Sequence, residues 1–272
     1  MAIDLKHNGN IEVTNGVITI DGSPIGNGLK GTQYVFVAAN GTPTENAAEL
    51  QTAYNEAKTM SPSASNRITV ICGNGNYDFS SDFVMDEQYV DLVSLDGNRS
   101  VVFNGTGTIS ITANDVFVKG VNVGTKNFTI EDDLTLLKVE NCQGGNGSFG
   151  GSRTASGTFT DCQGGELSFG GFGIASGTFT DCQGGFGSFG YFGEASGIFT
   201  NCQGDFRAFG SLGIASGTFT DCQSGDESFG GNGQLSGKLY YCRLTSGIFE
   251  TVSGAGVTVL CIDGNNQINT QN

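Results

Sequence analysis

A period of twenty residues runs through the second half of the chain and restricts its fold more than any other feature. The five segments of residues 141–240 align on one cysteine each, as in "DCQGGELSFGGFGIASGTFT" and "DCQGGFGSFGYFGEASGIFT". A sixth cysteine, Cys242, follows one period later. Such a period is typical of a solenoid, in which every repeat forms one turn and packs against its neighbours.

Each repeat contains one clear strand pattern. In "SGTFT" small or apolar residues alternate with Thr, so Gly157 and Phe159 are predicted to face inward and Thr158 and Thr160 outward. The inward pattern slips by one residue before Cys162, and a slip of this kind needs a bend. Asn and Asp tolerate the left-handed backbone of such a bend. They occupy this position in all five repeats, as Asn141, Asp161, Asp181, Asn201 and Asp221.

Stacked turns predict three internal columns of side chains. The first is a structural ladder of thiols, formed by Cys142, Cys162, Cys182, Cys202, Cys222 and Cys242. The other two are Phe149, Phe169, Phe189, Phe209 and Phe229, and Phe159, Phe179, Phe199 and Phe219, continued by Leu239. Cysteine is a small apolar residue that fits the corner beside the bend. Neighbouring turns lie about 4.8 Å apart, so distance permits disulfides, but a reducing cytoplasm predicts free thiols.

The first half of the chain follows the same rhythm less regularly. Runs such as "RITVICGNGNYDF" and "SVVFNGTGTISI" predict earlier turns. Residues 44–60 predict a helix that covers the open strand edge, with Ala47, Leu50, Tyr54 and Ala57 on one face. "IEVTNGVITI" predicts a hairpin with its turn at Asn15-Gly16. At the other end, "VTVLCIDGNNQINTQN" is expected to be covered irregularly or to pair with another chain.

The order of these elements resembles a known family. "VFVAANGTPTENAAELQTAYNEAKTM" followed by "ITVICGNGNYDF" resembles the opening strand, capping helix and first turn of pectate-lyase-like right-handed parallel β-helices. The resemblance implies an all-β solenoid with about twenty residues per rung. It divides the chain into an attachment or oligomerisation segment at 1–32, the opening strand and capping helix at 33–66, and the β-helix at 67–272, with regular repeats at 141–242.

Charge and composition exclude several classes of function. The net charge of −15 repels phosphate backbones, so nucleic-acid binding is not expected. No apolar run is long enough to cross a membrane, and the N-terminus lacks the pattern of a secretory signal. The only histidine is His7 and no CxxC pair is present, so zinc and c-type haem are not expected, and no metal site or cofactor is assigned; the acidic surface favours solubility, with divalent cation binding as the alternative.

Two polar features suggest chemistry without defining a site. Carboxylates recur in the turns, but their registers differ between repeats, and no catalytic residue is assigned to them: Glu166, Glu194, Asp205, Asp226 and Glu227. A stripe of paired threonines on one face suggests ice binding. Ile198 interrupts that stripe, and Lys238 and Tyr240 end it.

An apolar patch lies in the middle of the regular repeats. Phe172, Phe192 and Leu212 share one register, and Ile174 and Ile214 share another. Three further aromatic residues lie near these positions in the sequence: Phe186, Tyr191 and Phe206. Facing inward, these side chains would thicken the core; facing outward, they would form a partner or glycan contact.

We hypothesise a bacteriophage virion structural protein. The fold resembles fibres, tailspikes and head-decoration proteins of phages, whose β-helices often form trimers. The resemblance implies a homotrimer that is made in the host cytoplasm and attached to other virion proteins through residues 1–32. Its rod would present a surface for adhesion, including adhesion to host polysaccharide. A polysaccharide lyase, hydrolase or glycan-binding spike is the alternative, and an ice-binding protein is the third hypothesis.

Overall fold

The chain forms a parallel β-solenoid of about nine turns, which confirms the predicted fold class. The computed structural model describes residues 11–14, 17–20, 23–24, 32–124, 128–131, 133–231, 234–246, 257–263, 265 and 267–271. Residues 1–10 and the predicted turn Asn15-Gly16 lie outside these ranges.

The first described strands form a small sheet of their own. They are β1 (Ile11–Thr14), β2 (Val17–Ile20) and β3 (Ser23–Pro24), in the order β1-β2-β3. The antiparallel pairing of Ile11 with Ile20 and of Thr14 with Val17 confirms the predicted hairpin.

An edge strand and a helix open the solenoid. They are β4 (Thr32–Val37) and α1 (Pro43–Thr59), so the helix begins and ends one residue before the predicted range. The side chain of Thr42 accepts a hydrogen bond from the Glu45 amide, and the Glu45 carboxylate accepts one from the Thr42 amide. This capping box satisfies two amides at the start of the helix. The predicted face is buried: Ala47, Leu50, Tyr54 and Ala57, joined by Asn46 and Ala53.

The first turns are longer than the later ones. Their strands are β5 (Arg67–Cys72), β6 (Gly75–Phe79), β7 (Phe83–Met85), β8 (Val90–Ser94), β9 (Val101–Gly105), β10 (Ile109–Ile111), β11 (Phe117–Lys119), β12 (Val121–Asn122), β13 (Phe128–Ile130) and β14 (Lys138–Glu140). Ile68 pairs with Val90, whereas Leu92 pairs with Val118. The first turn therefore spans 22 residues and the second 26.

Between β14 and β24 the period is twenty residues. The strands are β15 (Thr158–Thr160), β16 (Ile174–Ala175), β17 (Thr178–Thr180), β18 (Glu194–Ala195), β19 (Ile198–Thr200), β20 (Ile214–Ala215), β21 (Thr218–Thr220), β22 (Gln223–Ser224), β23 (Gln234–Leu235), β24 (Lys238–Tyr240) and β25 (Arg243–Leu244). Lys138, Thr158 and Thr178 align in successive parallel pairs. One continuous sheet runs from β4 to the last turn, and only its strands from β14 to β24 have this twenty-residue register.

The interior consists of stacked columns. The rings of Phe159 and Phe179 lie parallel at 5.1 Å between centroids, and those of Phe169 and Phe189 at 4.8 Å. Rings of the two columns meet edge to face, as Phe169 and Phe179 do at 5.8 Å. Both geometries are favourable for aromatic pairs. All rings of both columns are buried, and so are the six cysteines of the ladder.

The bend before each cysteine adopts the predicted left-handed conformation. The φ angles are 49° at Asn141, 53° at Asp161, 54° at Asp181, 51° at Asn201 and 53° at Asp221. Tyr241 adopts the same conformation at the next turn, with φ of 56°. The phenylalanines of one column also have positive φ angles, for example 50° at Phe169. The sequence pattern did not indicate that second bend, because Phe has no intrinsic preference for this region.

The two ends of the solenoid differ. At the C-terminal end β26 (Val257–Ile262) pairs with the antiparallel strand β27 (Ile268–Gln271), so the chain covers this edge itself. At the N-terminal end α1 packs across the first turns. Arg67 links three turns there, with its guanidinium 2.6 Å from the Asp91 carboxylate and 2.7 Å from that of Asp115.

Candidate functional site

The apolar patch of the middle repeats faces solvent. Phe172 is 53% exposed and Phe192 is 48% exposed. Leu212, Ile174 and Ile214 are also exposed. These five side chains form two columns, one at the start of β16 and β20 (Ile174 and Ile214) and one two residues earlier in the chain (Phe172, Phe192 and Leu212), and we call them the apolar stripe. Gly173, Gly193 and Gly213 separate the two columns.

Backbone packing explains why the residue between the columns is glycine. A Cβ atom at Gly193 would lie 1.9 Å from the carbonyl oxygen of Gly173, and one at Gly213 would lie 1.7 Å from that of Gly193. Any side chain there would push the turns apart. The tight approach keeps the three turns of the apolar stripe in close register.

The two phenyl rings of the apolar stripe cover each other. Phe172 and Phe192 stack with 5.1 Å between centroids and 4° between planes. Their edges, together with the aliphatic side chains, therefore form the outer surface. Contiguous exposed apolar surface occurs at protein interfaces and at ligand-binding sites.

The remaining three predicted contact residues support the apolar stripe from one side. Tyr191 is only 4% exposed, and its ring centroid lies 4.2 Å from that of Phe192. Phe186 meets Tyr191 edge to face at 5.4 Å, and Phe206 stacks on Phe186 at 5.9 Å. Both phenylalanines are half-buried. These residues hold Phe192 in place more than they offer surface to a partner.

A charged residue occupies the centre of the apolar stripe. Glu194 pairs with Ile174 in the preceding turn and with Ile214 in the next. Its carboxylate accepts a hydrogen bond from the hydroxyl of Ser216. The hydroxyl holds the carboxylate in this position.

The other carboxylates of the turns serve the local backbone. Asp205 accepts a hydrogen bond from the Phe206 amide at 2.8 Å, and Asp226 accepts one from the Glu227 amide at 2.9 Å. The carboxylate of Glu227 pairs with the guanidinium of Arg207. Glu166 is exposed. Asp205, Asp226 and Glu227 each make a contact that belongs to their own part of the chain. The positions of the acidic residues therefore differ from repeat to repeat.

A polar groove runs along a second face of the solenoid. Its volume is about 530 Å³ and one wall is formed by a column of amides: Gln143, Gln163, Gln183, Gln203 and Gln223. Glycines form its floor because serines lie directly behind them. A Cβ atom at Gly164 would lie 2.4 Å from the hydroxyl oxygen of Ser168. We call this feature the glutamine groove.

The cysteine ladder is chemically protected. Each thiol lies close to two backbone carbonyls, as Cys182 does at 3.4 Å from both Phe159 and Thr180. Burial raises the pKa of the Cys72 and Cys222 thiols above the ordinary range. Within the described part of the chain all eight cysteines are free thiols, and no cluster of His, Cys, Asp or Glu is suited to hold a metal ion.

The threonine pairs line the face of β15, β17 and β21. Thr158, Thr178 and Thr218 are half-buried, and the intervening Ile198 is 54% exposed. Its protruding side chain divides the threonine surface into two short parts.

Comparison with known proteins gives no relative: no family model, curated protein or solved structure matches the chain. Among the helices of the described residues, none is long and apolar enough to cross a bilayer.

Proposed function

We propose that the chain is a structural protein of a bacteriophage particle, a fibre, tailspike-like or head-decoration protein that acts as a stiff rod. The single observation that carries this proposal is the apolar stripe on a regular parallel β-solenoid. A solenoid of stacked turns has many in-register contacts and little freedom to bend. Its outer faces are therefore suited to present a fixed surface.

The size of the apolar stripe supports assembly of like chains. Five partly exposed side chains offer on the order of 400 Å² of apolar surface. A stable interface buries roughly 800 Å² on each partner. The apolar stripe would supply about half of this area. It would then form the apolar centre of a larger interface whose rim is polar. In a homotrimer each copy would place this centre against its neighbours.

The N-terminal segment is proposed to attach the rod to the particle. The small sheet of β1, β2 and β3 is separate from the main sheet. Its strands have 4, 4 and 2 residues, and a sheet this small buries little apolar surface. Residues 1–32 would gain a core from another virion protein.

The test is to find the chain in purified particles. Mass spectrometry of phage particles, prepared with the full chain and with a chain lacking residues 1–32, should detect the full chain and not the truncated one. Absence of the full chain from particles would overturn the proposal. Equal incorporation of both chains would overturn the role of the N-terminal segment.

A glycan-binding or glycan-cleaving spike is the second candidate, and the glutamine groove favours it. Amide side chains donate and accept hydrogen bonds, and here they recur at each turn along an open groove. Incubation with host capsular polysaccharide, followed by assay of reducing ends and of binding by affinity electrophoresis, tests it. The matched variants are Gln183→Ala/Gln203→Ala in the groove and Thr178→Ala/Thr218→Ala on another face. Only the first pair should weaken retardation by the glycan. Equal mobility with and without glycan would reject this candidate.

A further inference from the structure

A carboxylate lies at the centre of the apolar stripe. Glu194 pairs with Ile174 in the preceding turn and with Ile214 in the next, so the two isoleucines flank it along the rod. Phe192, two residues earlier in the same turn, is 48% exposed. Glu194 itself is half-buried. A partner that covers the apolar stripe therefore covers this carboxylate as well.

The chain gives this carboxylate one hydrogen bond and no opposite charge. The hydroxyl of Ser216 donates to it. The strands that hold its neighbours, β16 and β20, contain only Ile and Ala. Two turns later the register of Glu194 continues in the uncharged Gln234. The carboxylate therefore depends on water for the rest of its stabilisation.

The charged and titratable side chains around the apolar stripe make contacts elsewhere. Arg153, two turns earlier on this face, forms an ion pair with Glu131. Tyr191 packs behind Phe192, and its hydroxyl lies 3.4 Å from the guanidinium of Arg207, which pairs with Glu227. Among the described residues, no Lys or Arg forms an ion pair with the Glu194 carboxylate.

Further copies of this chain bring no free cation to the same height. In the trimer proposed above, on which this inference rests, three rods lie side by side and are joined through the apolar stripe. Residues 161–200 contain no Lys or Arg, and residues 201–220 contain only Arg207, which already pairs with Glu227. Copies at equal height would therefore bury Glu194 without an opposite charge.

The charge state of this side chain then affects the strength of the contact. Burial of an ionised carboxylate without a cation is unfavourable, because the protein does not replace the lost hydration. A protonated carboxyl group carries no charge and is much easier to bury. The side chain of Gln is similar in shape, also uncharged, and keeps an oxygen that can accept from the Ser216 hydroxyl.

We propose that Glu194 regulates the assembly of like chains through its charge. With the carboxylate ionised, its burial opposes the apolar attraction, and trimers form only at a higher concentration of chains. Assembly favours the neutral form, so the trimer binds more protons than three single chains do. Association therefore strengthens as the pH falls. The apolar stripe supplies the attraction, and Glu194 makes the assembly reversible and sensitive to acid.

Sedimentation equilibrium of the full chain over a series of concentrations tests the proposal at pH 7.5. The variant Glu194→Gln should lower the concentration at which half of the chains are trimeric by at least about tenfold. Glu166→Gln makes the same change of net charge at an exposed position of the preceding turn and should change it by less than about twofold. Trimers of Glu194→Gln that are no tighter than those of the wild type would overturn the proposal.

A pH series gives a second readout and separates this inference from the proposed assembly. Between pH 7.5 and pH 5.5 the wild type should tighten more than Glu194→Gln, because only the wild type can gain a proton at this position. Equal tightening of both would overturn regulation by acid while the trimer itself stands. If the wild type and Glu194→Gln both remain single chains at every pH and concentration, assembly through the apolar stripe is wrong and this inference fails with it.

Discussion

At the scale of the residue, cysteine and aspartate are coupled at one corner of every turn. The aspartate or asparagine takes the left-handed conformation, with φ of 53° at Asp161. The following cysteine turns inward, and its sulfur reaches backbone carbonyls such as that of Val139 at 3.4 Å. Cysteine therefore acts as a small apolar residue and also as a weak hydrogen-bond donor. The first role was predictable from the pattern; the second depends on where the carbonyls lie.

The left-handed corner predicts which substitutions the bend tolerates. Asp181→Val should lower the free energy of unfolding by about 1–2 kcal/mol, because a β-branched residue is strained at φ of 54°. Asp181→Asn should change it by less than about 0.5 kcal/mol, since Asn occupies the same corner at Asn201. Urea unfolding measures both. Equal stability of the two variants would show that the bend does not limit stability.

The buried thiols predict a loss of stability in alkaline solution. In the folded chain burial raises the pKa of Cys72 and Cys222, whereas an unfolded thiol ionises near pH 8.5. Below that pH both states hold the proton and the stabilisation is complete. Above it the unfolded state loses protons first, so each such thiol lowers the free energy of unfolding by up to about 1.4 kcal/mol per pH unit.

Urea unfolding under reducing conditions at pH 7.5, 8.5 and 9.5 tests this dependence. We expect a fall that steepens above pH 8.5. The variant Cys222→Ala should show a shallower slope than the wild type, whatever its absolute stability. A free energy of unfolding that stays constant from pH 7.5 to 9.5 would contradict burial of the thiols.

At the scale of the element, the sequence predicted which strand residues face inward, but it did not predict the direction of side chains between the strands. The twenty-residue period and the alternation in "SGTFT" predicted the inward Phe159 and Cys162, which are both buried. The direction of Phe172 was not predictable, because a loop between strands has no fixed alternation.

The glutamine groove was missed for a related reason. Gln183 and its equivalents were visible as a column, but their neighbours Gly184 and Gly185 gave no sign of an open channel.

The capping helix allows a test at this scale. Thr42→Ala removes the hydroxyl that accepts the hydrogen bond from the Glu45 amide, while the Thr42 amide still donates to the Glu45 carboxylate, and the change should destabilise the chain by about 1 kcal/mol. Thr44→Ala, also at the start of α1 and exposed, is the matched control and should be close to neutral. Thermal unfolding followed by circular dichroism measures the difference. Equal melting temperatures for the two variants would mean that the capping box does not stabilise the chain.

At the scale of the whole molecule, each regular turn pairs with the turn before it and the turn after it, so the number of these turns is adjustable. Deletion of residues 141–160 joins Glu140 to Asp161 and keeps every column in register. This shortened chain should fold cooperatively, as repeat proteins do when one unit is removed. Deletion of residues 141–150 would instead bring unlike positions together and should prevent folding. Circular dichroism and limited proteolysis distinguish the two. Equal folding of both deletions would contradict the solenoid register.

Assembly through the apolar stripe is the central claim, and sedimentation equilibrium tests it most directly. Wild type should sediment at three times the 28.2 kDa of one chain. Phe172→Ser/Phe192→Ser should sediment as single chains, since Ser152 occupies the same register in the preceding turn. Ile198→Thr, which removes an equally exposed apolar side chain from another face, should remain trimeric. A wild-type chain that stays monomeric at micromolar concentration, or a serine variant that stays trimeric, would contradict the claim.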